Sequence, residues 1–209
     1  DLEEKPPIAL QTRLRKDYPI YDRIHATKFG AGAPENHERH LFKSRDKEWT
    51  IAFTPSSIAI ETASYRDFPN FAGRIRRMMD LSAEVIDSTF YTRVGLRYIN
   101  AIPSGSKPNE LTDWINPNLV ASLISDTYGE INRYWNEVHG KCEGGRFTFR
   151  HGFQPTQPGA PPEYILDFDF YAEDVAVEHY RDLIASFNAQ CFNFFHWAIG
   201  PKAIETLNG

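Results

Sequence analysis

The segment from Tyr164 to Tyr171, YILDFDFY, constrains the fold most, because apolar and acidic residues alternate along it. A period of two is typical of a β-strand with one face toward a core and the other toward solvent. Asp167 and Asp169 therefore lie on the same face of this predicted strand. The chain should contain a sheet that is covered on one face and solvated on the other.

Three other segments predict strands joined by short connections. Residues 49–63 form two alternating runs around Thr54-Pro55-Ser56-Ser57, which is typical of a hairpin, and residues 88–100 are rich in aromatic and β-branched types. Residues 130–142 fit either a helical stripe or a strand face, so periodicity leaves both interpretations open. The turn at Glu143-Gly144-Gly145, followed by alternating RFTFRHGF, favours a strand there.

Helical patterns occupy much of the remaining chain. Residues 8–16 predict a short helix, residues 68–85 an amphipathic helix, and residues 110–123 one or two short helices. An aromatic helix of about 24 residues should run from near Asp174 to the Gly200-Pro201 stop. We interpret residues 29–40, FGAGAPENHERH, as an exposed loop, since they combine turn formers with charges and carry no period.

This order of elements predicts an α+β fold. Short connections between strands imply an antiparallel sheet, built from two loosely similar β-plus-helix halves, with the long aromatic C-terminal helix packed on it. A length of 209 residues suits a single domain spanning residues 1–209, with pseudo-halves at 1–102 and 103–209 as an internal division.

Composition narrows the setting in which the protein works. The two cysteines, Cys142 and Cys191, have no CxxC partner and favour a reducing compartment over a disulfide framework. No apolar run approaches the roughly 18 residues that span a bilayer, and the first ten residues lack the pattern of a signal peptide. We expect a cytoplasmic protein without a membrane partner. A net charge of −5 argues against general adhesion to nucleic acid, although a local basic patch stays open.

Strand alternation brings together the candidate binding residues. Arg93 and Arg97 share one strand face, as do Arg146 and Arg150, and Asp167 and Asp169. If these strands are neighbours, one sheet surface presents several guanidinium groups and two carboxylates, with Tyr91 and Tyr171 nearby. Such a surface suits a nucleotide or another phosphate-bearing ligand, because the arginine guanidinium presents a rigid set of hydrogen-bond donors that matches anionic oxygens. His151, next to Arg150, is a candidate general base near Asp167 or Asp169.

Two other interpretations of this surface stay open. The arginines and aspartates can form cross-strand ion pairs on a partly solvated face, or the two aspartates can contribute oxygens to a Mg²⁺ site that needs further ligands.

Other motifs in the chain are weaker signals of a functional site. His37 and His40 have metal-like spacing without a second pair, and FGAGAP lacks the Lys-Ser/Thr ending of a phosphate loop. We therefore assign no catalytic residue, metal site or cofactor.

The spacing TxxYxxFxxF at Thr62, Tyr65, Phe68 and Phe71, followed by RVGLRYIN from Arg93 to Asn100, resembles a known family. It is similar to the sporadically distributed family of small, uncharacterised bacterial and archaeal proteins marked by a GLRYIN strand, over residues 48–207. Family members usually open with a Pro-Pro-Ile strand, whereas Pro6-Pro7-Ile8 here passes into helix-like residues. We therefore expect part of the N-terminal strand to be missing.

The resemblance implies a fold and a patchy occurrence typical of mobile or defence-linked genes, without an established activity. Our leading hypothesis is a binding protein rather than an enzyme, with a protein partner or a second copy of itself. It would serve as an accessory or neutralising partner in a defence or toxin–antitoxin type locus. The alternative is a nucleotide- or nucleic-acid-binding protein, with or without a metal, that uses the arginine-lined sheet face with Asp167 and Asp169.

Overall fold

The protein is an α+β chain that divides into two compact units, residues 1–88 and 89–209. The computed structural model describes residues 8–28, 35–54, 56–83, 88–103, 110–124, 131, 133–153 and 163–208. Each unit contains one four-stranded antiparallel sheet and its own helices. The predicted α+β class with antiparallel strands is confirmed, and the structure has two antiparallel sheets where the sequence predicted one sheet built from two halves. The single domain spanning residues 1–209 stays a prediction.

Within its described residues, the first unit is a meander of four strands with two helices. Its elements are α1 (Ile8–Leu14), β1 (Ile20–Lys28), β2 (Glu35–Lys43), β3 (Trp49–Thr54), β4 (Ser57–Thr62) and α2 (Phe68–Ala83). The predicted hairpin is β3 and β4, paired from Trp49 opposite Thr62 to Thr54 opposite Ser57. Phe71 and Met78 of α2 are buried, and the Phe71 ring lies 5.8 Å from that of Trp49.

The second unit places its strands in the order β5-β8-β7-β6. Its elements are β5 (Phe90–Pro103), α3 (Leu111–Trp114), α4 (Pro117–Val120), β6 (Tyr134–Cys142), β7 (Gly145–Phe153), β8 (Glu163–Ala176), α5 (Tyr180–Ala198) and α6 (Pro201–Asn208). The segment that fitted both a helix and a strand is strand β6. Strand β5, which the sequence grouped with residues 1–102, pairs with β8 and so belongs to this sheet.

An aromatic core lies between this sheet and α5. Phe149 and Phe168 stack across β7 and β8 with ring centroids 4.8 Å apart, and Phe194 of α5 contacts both at 4.7 and 5.2 Å. Phe187 of α5 is fully buried beside Phe170. One sheet face is therefore covered by the helix, and the alternate side chains of every strand point to the other face.

The predicted exposed loop at residues 29–40 is wrong for the part that the structure describes. Residues 35–40 belong to β2, which pairs along its whole length with β1, and His40 is buried against Tyr21. The β1 segment also lay where the sequence indicated only a turn and a loop. Neither strand has a clear alternation of apolar and polar residues. Both form by pairing with neighbouring strands, and the contacts between β1 and β2 include the ion pair of Lys43 with Asp22 at 2.5 Å. Residues 29–34 lie outside the described residues.

The long C-terminal helix begins later than the sequence predicted. Asp174, its expected start, lies inside β8, which extends to Ala176, and a 3₁₀ turn at Val177–His179 leads into α5. The helix then runs 19 residues to Ala198 and is followed by α6, which starts at Pro201. Its predicted end and its packing on the sheet are confirmed. Within the described residues, every helix is too short or too polar to cross a membrane.

Candidate functional site

The face of the second sheet opposite α5 carries charged and polar side chains that are bonded in two groups, one of Arg93 with Asp169 and one centred on Asp167, and we call this surface the ion-pair face. Strand register places Arg97 opposite Asp169, and Arg150 opposite both Asp167 and Glu137. The ion-pair face consists of Arg93, Arg97, Glu137, His139, Thr148, Arg150, Asp167 and Asp169. All are alternate residues of their strands, so they share one side of the sheet. The predicted grouping of Arg93, Arg97, Arg150, Asp167 and Asp169 is therefore present in the structure.

Asp167 is the centre of the ion-pair face. Its side chain is only 4% exposed and accepts two hydrogen bonds from Arg97, from Nε and Nη2, both at 2.7 Å. Arg150 approaches the same carboxylate, with Nη1 at 3.5 Å. The pKa of Arg97 is raised, chiefly by its hydrogen bonds to Asp167. One buried carboxylate thus holds two guanidinium groups, and the Arg97 side chain is still 52% exposed.

Arg93 reaches its partner over a glycine. Its Nη2 lies 3.0 Å from both oxygens of Asp169, although the residue directly opposite Arg93 in β8 is Glu173. The guanidinium passes over Gly95 and lies 4.5 Å from the centre of the Tyr171 ring, as in a cation–π contact. A Cβ on Gly95 would lie 3.2 Å from Arg93 Nη1. The glycine of the RVGLRYIN segment therefore provides the space in which Arg93 lies flat on the sheet.

The network continues to the edge strand β6. Glu137 accepts a hydrogen bond from Arg150 and lies 2.6 Å from Nε2 of His139, whose Nδ1 lies 3.1 Å from the buried Thr148 hydroxyl. These contacts, first that with Arg150, lower the pKa of Glu137. Sequence reasoning missed Glu137, His139 and Thr148, although the alternation of β6 and β7 places them on this face.

Arg146 shares the face but not the network. It lies with Lys141 in a shallow cleft of about 370 Å³, whose other lining residues are Gly144, Gly145, Tyr171, Ala172, Glu173 and Asp174. Within the described residues, neither Arg146 nor Lys141 takes part in an ion pair. The two acidic residues on the other wall reduce the positive charge of the cleft. The four predicted arginines therefore do not form one phosphate pocket, because three of them are paired with carboxylates.

His151 is not next to the aspartates, so the interpretation of it as their general base is wrong. As the residue after Arg150 it points to the opposite, helix-covered face of the sheet. There it is buried, its Nδ1 lies 2.6 Å from the Tyr164 hydroxyl, and its ring stacks on Phe149 at 4.9 Å. Burial lowers the pKa of His151 to about 4 and raises that of Tyr164. His151 is a neutral core residue at pH 7.

The buried His151 should make stability depend on pH. The unfolded chain takes up a proton near pH 6.5 while the folded chain resists it until about pH 4. The free energy of unfolding should therefore fall as the pH is lowered through this window, by about 3 kcal/mol from this group, and level off below it. Urea unfolding of the wild type and of His151→Phe at several pH values measures the effect as the difference between the two profiles. Parallel profiles would contradict it.

Among the remaining sequence candidates whose side chains the structure describes, neither cysteine is an activated nucleophile. Cys191 is buried, which raises its thiol pKa to about 12, and burial also raises the pKa of Cys142. Neutral thiols are poor nucleophiles. His40 is a buried strand residue, and the side chain of His37 lies outside the described residues. In the part of the chain that the structure describes, there is no cluster of three His, Cys, Asp or Glu side chains suited to a metal ion.

No family model, curated protein or solved structure matches this chain.

Proposed function

We propose that this chain is a binding protein that holds a protein partner on the ion-pair face of its second unit. The observation that supports the proposal is the exposed, fixed pair of guanidinium groups at Arg93 and Arg97. Each is held by a carboxylate on one side, and each keeps donors outside that contact: Nη1 of Arg97, and Nε and Nη1 of Arg93. Fixing an arginine before binding reduces the entropy lost when a partner docks.

Apolar side chains at the margins of the ion-pair face add to this argument. Ile99 of β5 and Trp135 of β6 are both exposed and point to the same side as Arg97 and Glu137. Arginine, tryptophan and tyrosine are the residue types that contribute most to protein–protein binding, and surrounding contacts exclude water from them. The resemblance to the GLRYIN family adds the hypothesis that the partner belongs to a defence or toxin–antitoxin type locus, in which this chain is an accessory or neutralising component.

The alternative, a nucleotide or another phosphate-bearing ligand, has narrower support. Arg93, Arg97 and Arg150 bond carboxylates, and the same bonds leave Asp167 and Asp169 less suited to a metal ion. The alternative is therefore confined to the cleft at Lys141 and Arg146. A retained phosphate-bearing molecule, seen by native mass spectrometry of the protein from its own host, would favour it.

Co-purification with variants on the ion-pair face tests the protein-partner proposal. We expect a stoichiometric partner to accompany the tagged wild type, and its yield to fall about tenfold with Ile99→Glu and severalfold with Arg93→Ala, because both change exposed contacts. Leu207→Glu is the matched control, since Leu207 is an equally exposed apolar residue on α6. A partner retained equally by all three variants would place binding elsewhere.

A further inference from the structure

Among the described residues, strand β6 is an edge strand of the second sheet. Its only strand neighbour there is β7, and no described residue bonds the backbone groups on its outer side. The two-residue turn at Glu143-Gly144 joins Cys142 to Gly145, a pair that closes with a hydrogen bond. Because hydrogen-bonded and non-bonded pairs alternate, Trp135, Glu137, His139 and Lys141 direct their N–H and C=O groups outward.

The helix-covered face also becomes exposed at this edge. Val138 is 47% exposed, although the residue paired with it in β7 is the buried Phe149. Phe149 contacts Phe194 of α5, and Phe194 contacts the exposed Trp197, with ring centroids 5.6 Å apart. Exposed apolar side chains therefore occur both on the edge strand and on α5, on the side opposite the ion-pair face.

We propose that β6 pairs antiparallel with β6 of a second copy of this chain, so that two sheets join into one of eight strands. Pairing the whole strand, Tyr134 to Cys142, puts Val138 opposite Val138 on the two-fold axis. Glu137 then faces His139 of the other copy, and Trp135 faces Lys141. A carboxylate–imidazole hydrogen bond and a cation–aromatic pair are favourable as cross-strand neighbours. All backbone groups that point outward find partners in this register.

The sequence of β6 is complementary to itself, and this selects a second copy as the occupant. In a two-fold interface residue i meets residue j and j meets i, so every such pair must be complementary. The pattern Trp-x-Glu-Val-His-x-Lys pairs glutamate with histidine and tryptophan with lysine about Val138. A single strand pair buries less surface than the roughly 1,200 Å² of a stable interface. The dimer should therefore be weak and depend on concentration. This inference does not depend on the proposed partner on the ion-pair face.

Sedimentation over a concentration series tests the proposal. The wild-type mass should rise from 24.0 kDa toward twice that value. Val138→Lys puts two like charges on the two-fold axis and should raise the dissociation constant at least about tenfold. Leu207→Lys makes the same change at a residue that is 64% exposed on α6 and should behave as the wild type. A mass of 24.0 kDa at every concentration, or dimers that survive Val138→Lys, would overturn the proposal.

A cross-linking variant gives the register without relying on a charged side chain. In the proposed pairing, the two Val138 side chains form a non-hydrogen-bonded pair, in which Cα atoms are about 4.5 Å apart and a disulfide is feasible. Val138→Cys with Cys142→Ser should therefore link two copies under mild oxidation, while Cys142→Ser alone should not. Failure to cross-link in a folded variant would overturn this register.

Discussion

Replacing Phe168 with alanine should destabilise the second unit by about 4 kcal/mol, because it removes a fully buried ring from the centre of the aromatic core. Phe168 stacks on Phe149 and contacts both Phe194 and Phe195 of α5. Its loss leaves a cavity between the sheet and α5 that the surrounding rings can fill only by moving. Chemical unfolding followed by near-UV circular dichroism, which reports the packing of the rings, measures the loss.

Phe192→Ala is the matched control for this change. The same side chain is removed, but Phe192 lies on the outer side of α5 and is 59% exposed, in contact with His196. The free energy of unfolding should change by no more than about 0.5 kcal/mol. Comparable losses at the two positions would mean that the sheet and α5 do not share the core described above.

Where apolar and polar residues alternate clearly, the sequence predicts which face of a strand each side chain occupies. It does not predict the strands that form by pairing with a neighbour. The pattern in YILDFDFY places Asp167 and Asp169 on the face of β8 opposite the phenylalanines of the core, and the structure agrees, although ion pairs bury Asp167 on that face. Strands β1 and β2 have no such pattern. Strand β1 pairs with β2, and β2 pairs with both β1 and β3. A single sequence does not contain those contacts.

The pairing of charges on the ion-pair face also lies beyond sequence reasoning. Alternation predicts that arginines and aspartates share a surface, but the direct opposite of Arg93 is Glu173, and its actual partner is Asp169. The choice depends on the open space above Gly95, which becomes visible only in three dimensions.

The interpretation of His151 as a general base was wrong for a simpler reason. Its neighbour Arg150 faces outward, so a residue one position along the strand must face the core.

Replacing Asp167 with alanine should cost more stability than the same change at Asp169. Asp167 is buried and binds Arg97 twice while Arg150 lies 3.5 Å away, so its removal leaves two guanidinium groups without their shared acceptor. Breaking a buried pair costs roughly 3–5 kcal/mol, and the exposure of Arg97 reduces this to about 2–3 kcal/mol here. Asp169 is less buried and has Arg93 alone as an ion-pair partner within the described residues. Its loss should cost about 1 kcal/mol.

A double-mutant cycle separates the ion pair from the rest of the effect. Asp167→Ala, Arg97→Ala and the double variant, compared by urea unfolding, should give a coupling energy of about 1–2 kcal/mol. The double variant should lose less than the sum of the single losses, because Arg97→Ala alone leaves a buried carboxylate whose remaining ion-pair partner among the described residues is Arg150. Additive losses would mean that Asp167 acts through Arg150 or through burial alone. In that case the position of Arg97 would not depend on Asp167, and the fixed guanidinium from which we infer partner binding would lose its physical basis.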